Sequence, residues 1–186
     1  MKIFAVDAET DGLYGRTIAI GAVCGADVFH ARIPMDNPSA RASESGYSSW
    51  RPNSHIKNDW VRDNVIPVIW RISTEYPSSE ALEEEFWQFY RQHANGATVI
   101  AHCAAPVEAS LFRRCIEPVL FERAFQGPLP LHDLGTLLLA LGEDPASDDA
   151  YMAKHGLTPP PGRAHDPLYD ARVTEIIWVH AMGRLT

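Results

Sequence analysis

Residues 4–13 read Phe-Ala-Val-Asp-Ala-Glu-Thr-Asp-Gly-Leu, and this stretch predicts the centre of the fold. Ile3 and the apolar residues that follow it predict a buried β-strand, and Gly12 offers a turn after that strand. Asp7 and Glu9 lie two positions apart, so their carboxylates project from one face, roughly 6 to 7 Å apart along the backbone. Two acids at the end of a core strand cost desolvation free energy unless a cation is present. The pair indicates a cation site, although a lone pair of this kind is more often a solvated turn.

A second group of polar residues lies in residues 162–170, which read Gly-Arg-Ala-His-Asp-Pro-Leu-Tyr-Asp. Asp166 has the side chain of a helix N-cap, and Pro167 suits the first helical position, where its missing N–H is not needed. His165 then lies just outside the helix, and Asp170 lies one turn inside it. Both side chains are expected at a helix N-terminus, whose partial positive charge and free N–H groups favour anions.

The third candidate is Glu108, near the middle of the chain. Residues 99–101 are apolar and predict another buried strand, and Pro106 suits the first turn of a helix that follows it. Glu108 is then near the start of that helix. By itself this placement is more often structural, because the helix dipole stabilises an acid in the first turn whatever its function.

In order and spacing, these three stretches resemble the motifs of the DEDDh group of 3′-to-5′ exonucleases, which have a ribonuclease H-like fold. The family pattern is D-x-E-T-x-G near the N-terminus, H-N-x-x-x-D on a central helix and H-x-x-x-x-D on a late helix. The resemblance spans residues 3–178 and is more specific than any single motif. The matching residues are Asp7, Glu9, Thr10 and Gly12 in the first motif, and His165 and Asp170 in the last.

The central motif departs from the family pattern at two positions. Cys103 follows His102 where the family has Asn, and Val107 stands where the family has its acid. We interpret Glu108, one position later and with a longer side chain than Asp, as the surrogate acid. His102 matches the family's central His, and we expect it to pack or hydrogen-bond at the strand end instead of acting as a base.

The resemblance implies hydrolysis of phosphodiester bonds from the 3′ end of single-stranded nucleic acid, with release of nucleoside 5′-monophosphates. The implied cofactors are two divalent ions, Mg²⁺ or Mn²⁺, which prefer oxygen ligands. On the family pattern Asp7 bridges both ions. Glu9 and Asp170 complete the coordination of the first ion, and Glu108 supports the second. His165 is the implied general base, since an imidazole ordinarily titrates at about pH 6.5.

Residues that could bind the substrate lie beside these motifs. Thr10 and Leu13 match positions at which the family contacts the terminal nucleotide. Nearby arginines could hold flanking phosphates, although ion pairs with neighbouring acids are the ordinary role of surface arginines. These arginines are Arg113, Arg114, Arg163 and Arg172.

Three functions stay open. The leading one is the exonuclease, with RNA favoured over DNA, because tryptophans follow the predicted hairpin in a layout similar to small bacterial exoribonucleases of this group. Base stacking is one use of Trp50, Trp60 and Trp70, and packing is the commoner one. The second is a ribonuclease H-like nucleic-acid-binding domain whose catalysis is impaired by the change to Glu108. The third is a phosphodiesterase acting on short oligonucleotides or nucleotides.

Many members of the family are homodimers, so a second copy is a partner that the resemblance allows.

The predicted fold class is α/β and ribonuclease H-like, with a central mixed sheet of three antiparallel strands and then parallel strands, flanked by helices. We expect one exonuclease domain over residues 1–186. Asp133 is explained equally well as a supporting acid or as the N-cap of a helix over residues 134–141. The other expected segments are a hairpin over residues 17–24 and 27–33, a long loop over residues 37–54 bordering the substrate cleft, a helix over residues 78–95 with a solvated acidic face at 83–85, an irregular segment over residues 143–164, and a last helix over residues 167–182.

Composition limits the function classes. The 186 residues are 46% hydrophobic, enough for one domain with a substantial core, and the net charge of −8 weighs against a protein that coats duplex DNA. Three cysteines without close spacing argue against a disulfide framework or a thiolate zinc site. No stretch has the pattern of a signal peptide or a membrane span, so we expect a cytoplasmic protein without a membrane partner.

Overall fold

A five-stranded mixed sheet forms the centre of the computed structural model, which describes residues 2–37 and 53–185. Its strand order is β3-β2-β1-β4-β5, with β1 antiparallel to β2, β2 antiparallel to β3, and β4 parallel to both β1 and β5. The predicted α/β class and the predicted mixture of antiparallel and parallel strands are confirmed. The strands are β1 (Ile3–Thr10), β2 (Thr17–Cys24), β3 (Asp27–Arg32), β4 (Thr98–Ala101) and β5 (His132–Asp133).

Helices cover both faces of this sheet. Even-numbered residues of β1, such as Phe4 and Val6, point into one core, and Ile3 and Ala5 point into the other. The helices are α1 (Asp59–Asn64), α2 (Ile66–Ile69), α3 (Ser79–His93), α4 (Val107–Ile116), α5 (Leu120–Arg123), α6 (Leu134–Ala140), α7 (Asp148–His155) and α8 (Pro167–Gly183), with a 3₁₀ turn at Glu117–Val119 before α5.

The last helix, α8, begins as predicted. The Asp166 carboxylate accepts hydrogen bonds from the backbone N–H groups of Leu168 and Tyr169, and Pro167 occupies the first helical position. The helix then packs on the face of the sheet that carries Ile3 and Ala5, and it buries Ile177. Asp7 and Glu9 share that face by strand alternation. The first turn of α8 therefore comes to the same side of β1 as the two acids.

Helix α7 corrects the prediction that residues 143–164 are irregular. Ser147 caps its start by accepting a hydrogen bond from the Ala150 N–H, and Gly156 ends it with a φ of +64°. These cap signals are present in the sequence, but the helix has only eight residues and buries only Tyr151 and Met152. Its apolar stripe is too short to produce a helical period, whereas the prolines at 159–161 dominate the segment.

Helix α3 confirms the predicted cap and apolar stripe but contradicts the solvated acidic face. Ser78 caps the helix, whereas Glu83 is buried. The Glu83 carboxylate accepts hydrogen bonds from Thr17 Oγ1 at 2.5 Å and from Arg114 Nε at 2.7 Å. A buried carboxylate is tolerated where it is paired and hydrogen-bonded. The sequence of three consecutive acids does not show that Arg114, 31 residues away, is the partner of Glu83.

The hairpin turns at Gly25, with β3 ending at Arg32, as predicted to within one residue. Cys24, Cys103 and Cys115 are free thiols. Among the described residues no helix has the length and apolar character needed to cross a membrane.

Most of the loop predicted over residues 37–54, including Trp50, lies outside the described residues.

Candidate functional site

The five residues predicted to carry chemistry line one cleft of about 560 Å³. Asp7 and Glu9 project from β1, Glu108 from the first turn of α4, and His165 and Asp170 from the start of α8. The register of the β1–β2 ladder shifts between Glu9 and Thr10, beside these acids. Such bulges re-aim side chains at strand ends. The fold thus brings together residues from three distant stretches of the chain.

His165, Glu9 and Asp170 form the tightest group in the cleft. The His165 N–H donates a hydrogen bond to Asp170 Oδ2 at 2.8 Å, and His165 Nδ1 lies 3.4 Å from Glu9 Oε1. One ligand atom from each of the three residues lies within 4.8 Å of the other two. His165 has a φ of +67°, and this left-handed conformation turns its backbone N–H toward Asp170. Trp60, which is 56% exposed, places its ring edge-on to the imidazole with centroids 5.3 Å apart.

Glu108 is the buried acid of the central motif. Its Oε1 accepts a hydrogen bond from the Ala8 N–H at 3.1 Å, between the two acids of β1. Pro106 occupies the N-cap position and α4 begins at Val107, so Glu108 lies in the first turn of the helix, as predicted. Although Val107 also lines the cleft, it offers no ligand atom. Glu108 is therefore the residue of the central motif that brings a carboxylate to Asp7.

Asp7 is the acid at the centre of this group. Its carboxylate has no hydrogen bond and no cation partner among the residues that the structure describes. Burial raises the pKa of Asp7 well above its ordinary value, and the charges of Glu108, Glu9 and Asp170 raise it further. A partly buried carboxylate without a partner is costly. A cation would remove that cost.

The neighbouring groups show the same excess of negative charge. Burial is the main cause that raises the pKa of Glu108 to about 8, with Glu9 adding to it against the hydrogen bond from Ala8. Burial and then the charge of Glu9 raise the pKa of Asp170 to about 7. The contact with Glu9 is also the main cause that raises the pKa of His165. The cleft therefore disfavours the ionised form of each of these carboxyl groups, and a metal cation would remove that penalty.

His102 and Asp148 form an ion pair in the wall of the cleft. His102 Nε2 lies 2.8 Å from the Pro145 carbonyl oxygen, and Nδ1 lies 2.9 Å from Asp148 Oδ1. A carbonyl oxygen only accepts hydrogen bonds, so the contact with Pro145 requires a proton on Nε2. Burial lowers the pKa of His102, but the Asp148 carboxylate outweighs burial and the pKa is raised. The expected hydrogen bonding of His102 at the strand end is confirmed.

Asp148 is a cleft residue that the sequence prediction missed. It lies in the first turn of α7, and its charge contributes to the raised pKa of both Asp7 and Asp170. The caps Ser147 and Gly156 were the available signal for the helix that carries it. Nothing in the spacing of the three motifs points to this position.

Asp133 acts as the N-cap of α6, as one of its two interpretations expected. Its carboxylate accepts hydrogen bonds from the Thr136 N–H at 2.9 Å and from Thr136 Oγ1 at 2.7 Å. It also accepts one from the Ala104 N–H at 3.1 Å. It does not line the cleft, but its charge contributes to the raised pKa of two lining residues, His102 and Cys103.

The proposed substrate contacts are only partly at the cleft. Leu13 lines it and is 64% exposed, whereas Thr10 is buried and donates to the Gly12 carbonyl oxygen at 2.8 Å. Arg163 donates to the Pro67 carbonyl oxygen at 2.8 Å. Among the described lining residues none of the four candidate arginines is present: Arg113 pairs with Glu117, Arg114 pairs with Glu83, and Arg172 is half-buried on α8.

Comparison with known proteins adds no relative: no family model and no curated protein matches this chain.

Proposed function

We propose that this chain is a Mg²⁺- or Mn²⁺-dependent 3′-to-5′ exonuclease of the DEDDh type that shortens single-stranded nucleic acid, with RNA preferred to DNA, and releases nucleoside 5′-monophosphates. The observation that carries the proposal is the unpartnered Asp7 carboxylate, which the charges of Glu9, Glu108 and Asp170 surround. A ribonuclease H-like fold is supported by the three antiparallel strands followed by the parallel strands β4 and β5.

The donor set fits hard divalent cations. The cleft offers carboxylate oxygens from β1, α4 and α8, and Mg²⁺ and Mn²⁺ bind such ligands in preference to thiolates. Asp7, Glu9, Glu108 and Asp170 are the residues that would hold the ions. When bound, two such ions supply Lewis-acid stabilisation of the phosphoryl oxygens and help an attacking water to lose its proton.

His165 is the proposed general base. If Nδ1–H faces Glu9 Oε1, 3.4 Å away, the neutral tautomer leaves the lone pair on Nε2 free to accept a proton from water. Glu9 then orients the ring and stabilises the imidazolium that forms. The half-exposed side chain of His165 at the rim of the cleft suits this exchange of protons with solvent.

The second candidate is a nucleic-acid-binding domain without catalysis. One contact favours this binding domain, namely the hydrogen bond that the Ala8 N–H donates to Glu108. This hydrogen bond occupies one oxygen of Glu108, the acid that would hold the second cation. The third candidate, a phosphodiesterase for short oligonucleotides or nucleotides, is consistent with a cleft of about 560 Å³, the size of a small-molecule site.

The deciding experiment uses 5′-labelled single-stranded RNA and DNA of equal sequence, each with Mg²⁺, Mn²⁺ or chelator. We expect chelator-sensitive ladders that shorten from the 3′ end, fast on RNA, and no shortening when the 3′-OH is blocked by phosphate. Asp7→Asn and His165→Ala are expected to lower the rate by at least about 100-fold. Glu85→Gln, at an exposed acid on α3, is the matched control and keeps full activity.

The outcomes separate the three candidates. Binding of the oligonucleotide without shortening under any metal would support the binding domain. Turnover of dinucleotides but not of longer strands would support the phosphodiesterase.

A further inference from the structure

His30 joins the outer strand β3 to the start of α8. Its Nε2 lies 2.9 Å from Asp166 Oδ1. Asp166 directly follows His165, the proposed general base, and its carboxylate caps α8. The His30–Asp166 pair therefore links the sheet to the turn that carries the imidazole of the cleft.

One oxygen of Asp166 contacts both the helix and the strand. Oδ1 accepts hydrogen bonds from the backbone N–H groups of Leu168 at 3.0 Å and Tyr169 at 3.4 Å, and the same Oδ1 faces His30. Burial acts to raise the pKa of Asp166, but the contacts with His30 and with the backbone outweigh burial, and the pKa is lowered. The carboxylate is thus ionised at neutral pH and holds the imidazole of β3 against the first turn of α8.

The register of the sheet places this contact on the same rung as Asp7. Asp7 is opposite Gly21 on β2, and Gly21 is opposite His30 on β3. Directly opposed residues of antiparallel strands point to one face of the sheet. The rung therefore carries a proposed cation ligand on one strand and a hold on the start of α8 on another.

The turn around His165 needs such a hold. His165 has a φ of +67°, in the left-handed region that residues other than glycine seldom adopt. A conformation of this kind persists where surrounding contacts fix it. Within the turn, the Asp166 N–H donates to the Arg163 carbonyl oxygen at 3.2 Å, and the His165 N–H donates to Asp170. Both contacts are internal to residues 163–170, so they do not tie the turn to the sheet, whereas the pair with His30 does.

We propose that His30 is a positioning residue, which fixes the start of α8 so that the His165 imidazole faces the acids of the cleft. The role rests on the proposed exonuclease function. The His30 and Asp166 side chains are 26% and 28% exposed. A pair at this level of exposure contributes little to stability. Its loss is therefore expected to change the rate of the reaction more than Tm.

The first test compares exonuclease rates at saturating Mg²⁺. His30→Ala is expected to lower kcat at least about 10-fold and to leave KM within about two-fold, because a small displacement of a catalytic group slows the chemical step. His30→Gln is expected to restore most of kcat, since its amide N–H can contact Asp166 in place of Nε2.

His93→Ala is the matched control. His93 Nδ1 lies 3.1 Å from Asp27 Oδ2, so this change also breaks a His–Asp pair of β3, but one that joins the strand to α3 instead of α8. It is expected to keep full activity. Both alanine variants are expected to lower Tm by no more than about 4 °C.

The second test does not need activity. NMR spectra of the histidine rings, recorded in chelator without substrate, report the surroundings of His165, whose ring lies edge-on to Trp60 with centroids 5.3 Å apart. The His165 resonance is identified by its loss in His165→Ala. It is expected to shift in His30→Ala and to return close to its wild-type position in His30→Gln, and His93→Ala should leave it in place.

Four outcomes would overturn the positioning role. They are a wild-type kcat in His30→Ala, an equal loss of kcat in His93→Ala, a His30→Gln protein as slow as His30→Ala, and a His165 resonance that His30→Ala leaves unchanged. A wild-type chain without nuclease activity would instead refute the proposed function, and the histidine spectra would then decide by themselves whether His30 positions His165.

Discussion

Gly21 lies directly against the backbone of Pro167, where α8 begins. A Cβ at position 21 would stand 2.1 Å from the Pro167 carbonyl carbon and 2.2 Å from the Leu168 nitrogen. Gly21 is also the cross-strand partner of Asp7 in the β1–β2 ladder. The absence of a side chain here lets the start of α8, with His165 and Asp170, approach the acids of β1.

Gly21→Ala is therefore expected to disrupt both stability and the site. The new methyl group meets backbone atoms that cannot rotate away, so α8 must shift, at a cost of about 1–3 kcal/mol of unfolding free energy. We expect a lower Tm and a loss of divalent-cation binding in calorimetry. Gly183→Ala, where a Cβ meets nothing within 4 Å, is the control and should stabilise α8 by about 0.5–1 kcal/mol. Equal effects of the two substitutions would contradict this role of Gly21.

Glu108 and Ala8 allow a test of the displaced central acid. Glu108→Gln keeps an oxygen that can accept the Ala8 hydrogen bond but removes the charge, so we expect a folded protein with weaker binding of Mg²⁺ and little activity. Glu108→Asp is one methylene shorter and leaves the buried Ala8 N–H unsatisfied, which costs about 1–3 kcal/mol. Chemical denaturation measures the free energy of unfolding, and calorimetry measures the affinity for the cation. A Glu108→Asp protein as stable as the wild type would show that the hydrogen bond to Ala8 is dispensable.

The raised pKa values predict how stability without metal depends on pH. An acid whose pKa is higher in the folded than in the unfolded state stabilises the fold below its ordinary pKa and loses this contribution as pH rises through the folded value. Glu108, with a pKa of about 8, and Asp170, with a pKa of about 7, both act in this direction, as does Asp7. The raised pKa of His165 has the same sign, since its stabilisation is present below about pH 6.5 and lost above it. We expect Tm in chelator to fall from pH 5 to pH 9.

Addition of Mg²⁺ and the substitution Asp7→Asn should each reduce the decrease of Tm between pH 5 and pH 9. The cation compensates the negative charge of the carboxylates. At a free concentration 100 times its dissociation constant, it raises the free energy of unfolding by about 2.7 kcal/mol. Asp7→Asn removes a partly buried charge that lies among other acids, so it should raise Tm in chelator at pH 8 and abolish the shift that Mg²⁺ produces. Differential scanning fluorimetry measures both. A drop in Tm for Asp7→Asn in chelator would be evidence against an uncompensated charge at this position.

The His102–Asp148 pair makes a spectroscopic prediction. Because Asp148 lies 2.9 Å from His102 Nδ1, NMR titration of the imidazole should give a pKa above the ordinary value of about 6.5. Asp148→Asn should lower that pKa, since burial of the ring then acts without its counter-charge. Asp149→Asn, at the next residue of α7, is the matched control. An unchanged His102 pKa in Asp148→Asn would mean that the pair is not ionic.

Elements with local signals could be predicted from the sequence. The strand that bears Asp7, the N-cap at Asp166 and the cap of α3 at Ser78 depend on residues within a few positions of one another, and all three are present. Helix α7 was missed because eight residues with two buried side chains carry too little periodicity.

By itself, the sequence determined the acids of β1, the helix that presents Asp170 and the order in which they occur, since local periodicity and capping specify such elements. The sequence also named Glu108 as the surrogate acid, whereas tertiary structure alone decided that Glu108 accepts a hydrogen bond from Ala8, that Asp148 joins the cleft, and that Glu83 is buried. These depend on contacts between residues up to 100 positions apart, such as the hydrogen bond from Ala8 to Glu108. The residues next to each partner in the sequence do not indicate such contacts, because the contacts form only when the helices pack on the sheet.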